Sequence, residues 1–455
     1  MFWTLLRKEL AEQVLSGRLL IALALFLILL PLSSILLLQQ RERQLEDIKP
    51  EEEGQKEVSE WLAKQENPVQ RFTAFAQIGV TEVRRPPELC FLAQGLDRVI
   101  PRTARIRAKA GEFLATCLES DKPTTFDVDN PILERFPVAD TVYLVTVVGA
   151  LLAIFASFDF ICRERELGTL KLLFANPVRR GTVILAKWTG AFLCVGLGLV
   201  LATLVVLAYI LVTGALVLTG GLLGRWGIIT AAGLVYLALF SALGVAVSAL
   251  VSTRRGSLLI GLALWLTLVL VLPGVTAAGA QGVLPLPERP RMQMLWKEYN
   301  DAIIGRRDAR LMADMKDLVP EDEERLRLVE VHERKAEEQR RLFSSLSRVT
   351  PSALYIWAST ELAGTGATYY DGFRRADQEL TEAFRAYVIP RRPDARAGVL
   401  KPADADVAAF PAFSQRQVSA AEAVAAAGWD LAALLTETVA ILVAAVFLFV
   451  RQAEL

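Results

Sequence analysis

Six apolar stretches divide the chain, and polar segments separate them. The apolar stretches fall at residues 18–38, 139–160, 183–212, 226–251, 257–277 and 429–450. Each has about 20 residues or more and almost no charge, which is the length that a helix needs to cross a hydrocarbon core of about 30 Å. Two long polar segments, residues 39–138 and 278–428, remain, and helices are predicted over 41–65 and 102–118. The pattern predicts an all-α integral membrane protein with six transmembrane helices and two large, mainly helical insertions.

Residues 1–17 predict a short helix that lies on the cytoplasmic surface of the membrane. Its apolar positions recur at helical spacing: Phe2, Leu6, Leu10 and Val14. Charged residues, among them Glu9, are expected largely on the other faces. The first apolar stretch could instead be a cleaved signal peptide, but it is long and no small-x-small cleavage site follows it.

Lysine and arginine gather on one side of the predicted membrane. The short segments on this side hold Arg7, Lys8, Arg18, Arg163, Arg165, Lys171, Arg179, Arg180, Lys187, Arg254, Arg255 and Arg451. The opposite short loop, residues 213–225, holds only Arg225. Because basic residues mark the cytoplasmic side, we expect a multi-pass protein of the cell (inner) membrane with both termini in the cytoplasm and both insertions extracytoplasmic.

Composition excludes several functions. The chain has 50 basic and 50 acidic side chains, and this balance argues against nucleic acid as a partner. His332 is its one histidine, and its four cysteines lack CxxC spacing, so a structural zinc site or a histidine-based triad cannot be built. We therefore expect no metal site and no catalytic residue.

The cysteines suggest one candidate disulfide. Cys90 and Cys117 share the first insertion, where an oxidising compartment would permit a bond between them. Two buried thiols are the alternative, because sequence does not show whether their Cα atoms come within bonding range. Cys162 and Cys194 are predicted to be small core residues.

The second insertion is predicted to contain a pair of helices. One covers residues 291–319 and the other follows Pro320, and the two could form an antiparallel hairpin. Two ion pairs at i,i+4 support the second helix, namely Glu330 with Arg334 and Glu337 with Arg341. Two readings stay open: a solvated structural pair, or a surface for a substrate or partner.

The loop between the second and third spans, residues 161–182, carries the strongest signal. A charged cluster, residues 163–166, ends a predicted span, and Gly168 then allows a turn with Thr169 as the candidate N-cap of a new helix. An apolar face follows, made by Leu170, Leu173 and Phe174 and ended by Pro177. The segment is either a docking element with an apolar knob or an ordinary loop whose leucines enter the lipid interface.

The residues of this loop also carry a resemblance. The string Glu164-Arg165-Glu166-x-Gly168-Thr169-Leu170, followed by Asn176-Pro177-Val178-x-Arg180 and by Lys187, resembles the coupling region of ABC exporter permeases of the second class. That family includes the permeases of polysaccharide, drug and copper-maturation exporters, in which this segment docks on a separate ATP-binding subunit. The resemblance implies an ATPase-coupling role for Glu164, Arg165, Glu166, Gly168, Thr169, Leu170, Leu173, Asn176, Pro177 and Arg180.

A second resemblance lies in the second insertion. Thr350-Pro351-Ser352-x-Leu354, Leu362-Ala363-Gly364-Thr365-Gly366, Phe373 and Phe410-Pro411-x-Phe413 resemble a bacterial subgroup with a large helical insertion after the fifth span. The two glycines around Thr365 predict a break between two helices. No GxxxxGK[ST] sequence occurs, so the chain is not expected to be the ATPase. The resemblance implies that ATP and Mg²⁺ bind to the partner subunit and that this chain binds no cofactor.

Two acidic residues fall within or near predicted spans, where charge is costly and usually functional or paired. Glu437 lies seven residues into the last span and could meet a cationic substrate, a proton or a partner arginine. Alternatively, it reaches the outer interface or pairs with Arg391. Asp159 is expected to cap or pair with Arg163, four residues later.

The sequence therefore predicts the transmembrane subunit of an ATP-driven ABC transporter. We expect it to export or extract a lipid-like, lipoprotein or other hydrophobic cargo and to pair with a second permease copy, in a homodimer or heterodimer. By resemblance, the second and fifth spans line the path. The alternative is a membrane scaffold or sensor whose outer domains bind an extracytoplasmic partner. An intramembrane enzyme is a weak third hypothesis, because Glu437 and Asp159 lie on opposite membrane sides.

Overall fold

The fold is taken from a computed structural model of the chain. It describes residues 2–67, 70–71, 74–75, 78–98, 100, 103–108, 118–120, 139–170, 179–284, 331, 334–335, 337–388 and 417–452. The predicted helix over 291–319, the residues from Pro320 to Glu330, and the Phe410-Pro411-x-Phe413 string lie outside these residues.

Helices make up most of the described part of the chain, among them a run at residues 337–347. Ten others are numbered here with their bounds. They are α1 (Phe2–Leu15), α2 (Arg18–Ala63), α3 (Thr141–Ser157), α4 (Cys162–Glu166), α5 (Arg180–Thr213), α6 (Gly220–Leu250), α7 (Arg254–Val283), α8 (Pro351–Ala363), α9 (Ala367–Val388) and α10 (Ala420–Gln452). Within these residues, six helical spans are long and apolar enough to cross a membrane, namely α2, α3 with α4, α5, α6, α7 and α10. The prediction of an all-α membrane protein with six spans is confirmed.

The two ends of the bundle differ in what they carry. The termini end holds α1 and the end of α10, and the opposite insertion end holds the start of α3 and the connections to both insertions. Contacts between Arg180 and Val450, and between α1 and α5, show that both termini reach the same end. The connection from α3 to α5, which contains α4, also lies there.

Helix α2 is much longer than its predicted span. The apolar stretch ends at residue 38, but the helix continues to Ala63, so its 46 residues extend for about 70 Å. Residues 39–63 are rich in Gln, Arg, Glu, Leu and Lys, which favour helix, and neither Pro31 nor Pro50 ends it. The predicted helix over 41–65 is thus the continuation of the first span, and it carries the chain well beyond a hydrocarbon core.

The buried centre of the bundle is formed by α3 and α6. Both α3 and α7 contain a π-helical segment, at Val145–Gly149 and Leu266–Val271. A π-helical turn frees backbone carbonyls from the α-helical pattern. The carbonyl of Thr146 accepts from the Tyr236 hydroxyl at 2.9 Å, and that of Val147 accepts from the Trp265 indole at 3.1 Å. These bonds tie α3 to α6 and α7 inside the apolar bundle.

Helix α8 is buried in the bundle although it belongs to the second insertion. Thr350 caps its start by accepting from the Ala353 amide at 3.2 Å. Tyr355 stacks on Tyr236 of α6, with ring centroids 5.0 Å apart. The predicted helix break is present, because Gly364 ends α8 with φ of 75° and α9 begins at Ala367. The insertion therefore anchors itself between α6, α7 and α10 before it leaves the bundle.

The first insertion contains a small sheet where a helix was expected. Strands β1 (Val80–Val83), β2 (Thr103–Ala108) and β3 (Leu118–Ser120) pair antiparallel in that order. The prediction of a helix over 102–118 is wrong for the β2 residues. The β2 residues alternate polar with apolar, a pattern that suits a strand, and pairing with β1 satisfies backbone groups of β2.

Candidate functional site

Helix α1 packs against the termini ends of α3 and α5. Its buried side chains are Leu6, Glu9 and Gln13, and the Gln13 amide donates to the Ala156 carbonyl at 2.9 Å. The predicted apolar face of α1 is therefore partly wrong, because Val14 is 47% exposed and Glu9 is buried. The reason lies in α5, which presents a buried lysine to Glu9.

That lysine is Lys187, and it joins three elements. Its ammonium lies 2.8 Å from the Glu9 carboxylate of α1 and 3.0 Å from the Glu164 carboxylate of α4. The Lys187 and Glu9 side chains are 4% and 3% exposed. Burial raises the pKa of the Glu9 carboxyl, and Lys187 opposes that shift. Lys8 adds a second ammonium 3.5 Å from Glu164, so α4 is held to α1 and α5 by charge.

Asp159 pairs with a residue far away in the sequence. Arg18, at the start of α2, donates to both of its carboxylate oxygens at 2.6 Å and lies 5.3 Å from the Phe158 ring centroid. The predicted pairing of Asp159 with Arg163 is wrong, since Arg163 lies 3.7 Å from Glu12. The Arg18 guanidinium binds the Asp159 carboxylate in a bidentate geometry, which is a strong form of ion pair. The turn at Gly17, with φ of 73°, joins α1 to α2 immediately before Arg18.

The end of α6 holds the start of α4. The Ser248 hydroxyl accepts from the amides of Ile161 and Cys162 at 2.9 and 3.2 Å. Arg165 donates to the Ala249 carbonyl at 3.1 Å. The free amides of α4 and a carbonyl at the end of α6 therefore satisfy their hydrogen bonds across the contact.

The start of α7 holds the other side of α4. The Glu166 carboxylate accepts from the Arg254 amide at 2.7 Å and from its Nε at 2.6 Å. A carboxylate at a helix N-terminus is favourable because it meets unpaired amides and the positive end of the helix dipole. Helix α4 thus contacts α1, α5, α6 and α7 through four consecutive charged residues.

An exposed tip follows α4. Leu167 is 59% exposed, and Gly168 adopts φ of 70° with open space around it. The Thr169 hydroxyl donates to the Glu164 carbonyl at 3.3 Å, and Leu170 packs partly on the core. Of the other predicted coupling residues, Arg180 donates to the Val450 carbonyl at 3.3 Å. Leu173, Asn176 and Pro177 lie outside the described residues, so the coupling role stays a prediction.

The remaining predicted sites are scattered. Glu437 is half-buried, and its Oε2 has no hydrogen-bond partner within the described part of the chain, while Arg391 lies outside that part. Cys90 is buried, but Cys117 is not described, so the disulfide stays a prediction. No group of His, Cys, Asp and Glu side chains among the described residues could hold a metal ion.

Ion pairs also fasten the insertions at the other end. Arg348 donates to both carboxylate oxygens of Asp430, at 2.7 and 3.2 Å, which joins the second insertion to α10. The predicted pair of Glu337 and Arg341 is present at 2.7 Å. The sequence gives no local signal for the pair of Arg348 and Asp430, because its members are 82 positions apart.

Comparison with known proteins identifies the class of this molecule. A family model described as "ABC-2 family transporter protein" matches residues 3–453, nearly the whole chain. No curated protein sequence matches it.

The chain belongs to the ABC-2 transporter family. It is a transmembrane subunit of an ABC transporter, and family membership implies a partner subunit that binds ATP.

Proposed function

We propose that this subunit exports or extracts a hydrophobic cargo and that residues 161–180 dock on the ATP-binding subunit. What supports this is the position of α4, which is fastened on both flanks while its tip at Leu167 and Gly168 is exposed. A helix that is held on both flanks can transmit a displacement of its exposed tip to the helices that it contacts. ATP and Mg²⁺ bind to the partner, and this chain supplies no catalytic residue.

The contacts of α4 define two routes by which such a displacement would reach other helices. Glu164 passes displacement to Lys187 of α5 and from there to Glu9 of α1. Glu166 passes it to Arg254 at the start of α7. Closure of two ATP-binding subunits would therefore move α1 and α7 together, because both are tied to the same five-residue helix.

A second permease copy would cover α7. Only 11% of the most apolar part of this helix is buried within the chain, against 78% for the span formed by α3 and α4. Leu259, Leu266 and Val275 lie among its exposed side chains. We propose that α7 faces a like or related subunit across the cargo path. Because α3 is buried within the chain, it would contribute less to the lining of this path than the resemblance implies.

The proposed orientation keeps the termini end in the cytoplasm of a bacterial cell and the insertions outside. Arginine and lysine counts at short loops support it. Export or extraction from the outer leaflet fits large outer domains better than import does, and this preference rests on analogy.

Purification of the chain from its native membrane, with mass spectrometry of the proteins that accompany it, tests the assignment. A stoichiometric ATP-binding subunit is expected. Its reproducible absence under gentle solubilisation would refute the proposal and favour the scaffold or sensor alternative.

Variants at the tip then test the coupling role. Glu166→Lys places a like charge beside Arg254, and Gly168→Pro cannot adopt the φ of 70° found there. Both should abolish cargo-stimulated ATPase activity and leave membrane insertion intact. Glu57→Lys makes the same charge change on the exposed side of α2 and is the matched control. Normal stimulated turnover in both tip variants would remove the coupling role.

A further inference from the structure

A cavity of about 310 Å³ lies at the insertion end of the bundle. Both insertions and the bundle contribute to its wall, with residues from α2, the loop after β1, α6, the connection from α8 to α9, and the approach to α10. The lining residues include Glu52, Arg84, Arg85, Glu88, Arg225 and Gly364. The cavity is therefore placed where an outer ligand would meet both insertions and a membrane-spanning helix.

Two of its three arginines are already engaged. Arg84 is 1% exposed and donates to Asp97, Tyr369 and the Ile100 carbonyl, so it holds the fold together. Arg85 donates to both carboxylate oxygens of Glu52 at 3.0 to 3.2 Å. Neither guanidinium needs a ligand.

Arg225 is engaged far less. Its side chain is 12% exposed, yet it makes one long hydrogen bond, 3.4 Å, to Glu88, which is 41% exposed. Its buried Nε has no hydrogen-bond partner among the described residues. A buried guanidinium with so few bonds is costly unless an anion completes it. Gly364 leaves room beside it, because even an added Cβ there would lie 3.7 Å from an Arg225 terminal nitrogen.

The depth of Arg225 indicates where that anion comes from. The residue lies in the second turn of α6, which begins at Gly220 and is long and apolar enough to cross the membrane. A side chain one to two turns inside the end of such a helix lies at the level of lipid headgroups.

We propose that this cavity binds one anionic group, a phosphate or a carboxylate on a ligand at the membrane surface, with Arg225 as its main hydrogen-bond donor. Glu88 is the group that the anion displaces. This inference names the headgroup class of the cargo and therefore rests on the proposed function.

Native mass spectrometry of the purified full chain in neutral detergent tests the site. The probes are short-chain phosphatidic acid, the matched phosphatidylcholine, and inorganic phosphate. Saturable binding of one phosphatidic acid per chain is expected, with weaker binding of phosphatidylcholine. Inorganic phosphate that competes as tightly as phosphatidic acid would support the anion site but assign it to a free anion.

Three variants are expected to change the affinity for phosphatidic acid in different ways. Arg225→Gln should weaken phosphatidic acid binding at least about tenfold, since it removes a charge-assisted donor. Glu88→Gln should tighten binding, because the competing carboxylate is gone. Arg43→Gln removes an exposed arginine of α2 that does not line the cavity and should change affinity less than about twofold. Should Arg225→Gln fail to fold, the direction of the change in Glu88→Gln still decides.

The result that overturns the inference is unchanged affinity in Arg225→Gln, or weaker binding in Glu88→Gln. The presence of the ATP-binding subunit is scored separately. If the ATP-binding subunit co-purifies and cargo stimulates its ATPase activity, while the cavity variants bind phosphatidic acid normally, the inference alone fails. If the expected binding is found but the ATP-binding subunit is absent, the proposed function fails and the anion site stands.

Discussion

Loss of the Lys187 ammonium should destabilise the termini end strongly. Lys187→Met keeps the length of the side chain but leaves the Glu9 carboxylate, 3% exposed, without its partner at 2.8 Å. Glu164 is affected less, because Lys8 lies 3.5 Å from it. Removal of one member of a buried ion pair costs about 3–5 kcal/mol, because the other charge stays buried and uncompensated.

Thermal unfolding in detergent, followed by tryptophan fluorescence, measures the effect. A loss of this size should lower the midpoint by about 3–5 °C, because the unfolding entropy of a chain of this length is about 1 kcal/mol per kelvin. The double variant Glu9→Gln with Lys187→Met removes both charges and should recover most of the loss. Lys49→Met, on the exposed surface of α2, controls for the loss of a lysine.

Equal midpoints for Lys187→Met and the unmodified chain would refute this reasoning. So would a double variant that is less stable than the single one, because the ammonium and the carboxylate would then not be compensating each other.

Three further outcomes follow from described contacts. Burial raises the pKa of the Asp140 carboxyl from 3.8 to about 6, so the folded protein binds the carboxyl proton more tightly than the unfolded chain does. The stabilisation of the folded state by this proton is therefore complete below about pH 4 and is lost as pH rises through about 6. Asp140→Asn should remove this part of the dependence of stability on pH. Gly95→Ala should lower the unfolding midpoint, because a Cβ there would lie 2.6 Å from the Thr365 carbonyl and φ is 47°. Arg18→Gln should destabilise the chain by about 3–5 kcal/mol, and Asp159→Asn in the same chain should recover part of it, as a double-mutant cycle in denaturant would show.

Local sequence was sufficient where one strong, short-range effect decides the structure. About 20 apolar residues without charge form a membrane helix far more readily than any other structure, so the six spans could be predicted from the sequence. The Glu164 to Leu170 string predicted a turn at Gly168 after a charged cluster, and that turn is present with φ of 70°. The helix predicted after the turn lies mostly outside the described residues, so it stays a prediction. The helix break at Gly364 also followed from residues next to it.

The pairing of charges required the tertiary structure. Asp159 meets Arg18 across 141 positions and Glu9 meets Lys187 across 178, and no local pattern selects such partners from 50 basic side chains. Two other features also depended on distant contacts. The β2 residues form a strand because pairing with β1 outweighs their helix propensity. Helix α8 is buried because it stacks on Tyr236, although the insertion around it is polar. Sequence alone determined which segments enter the membrane, because the transfer free energies of the side chains add up residue by residue along one segment. Only the packed bundle decided which acidic side chain pairs with which basic one, because that depends on surfaces that meet after folding.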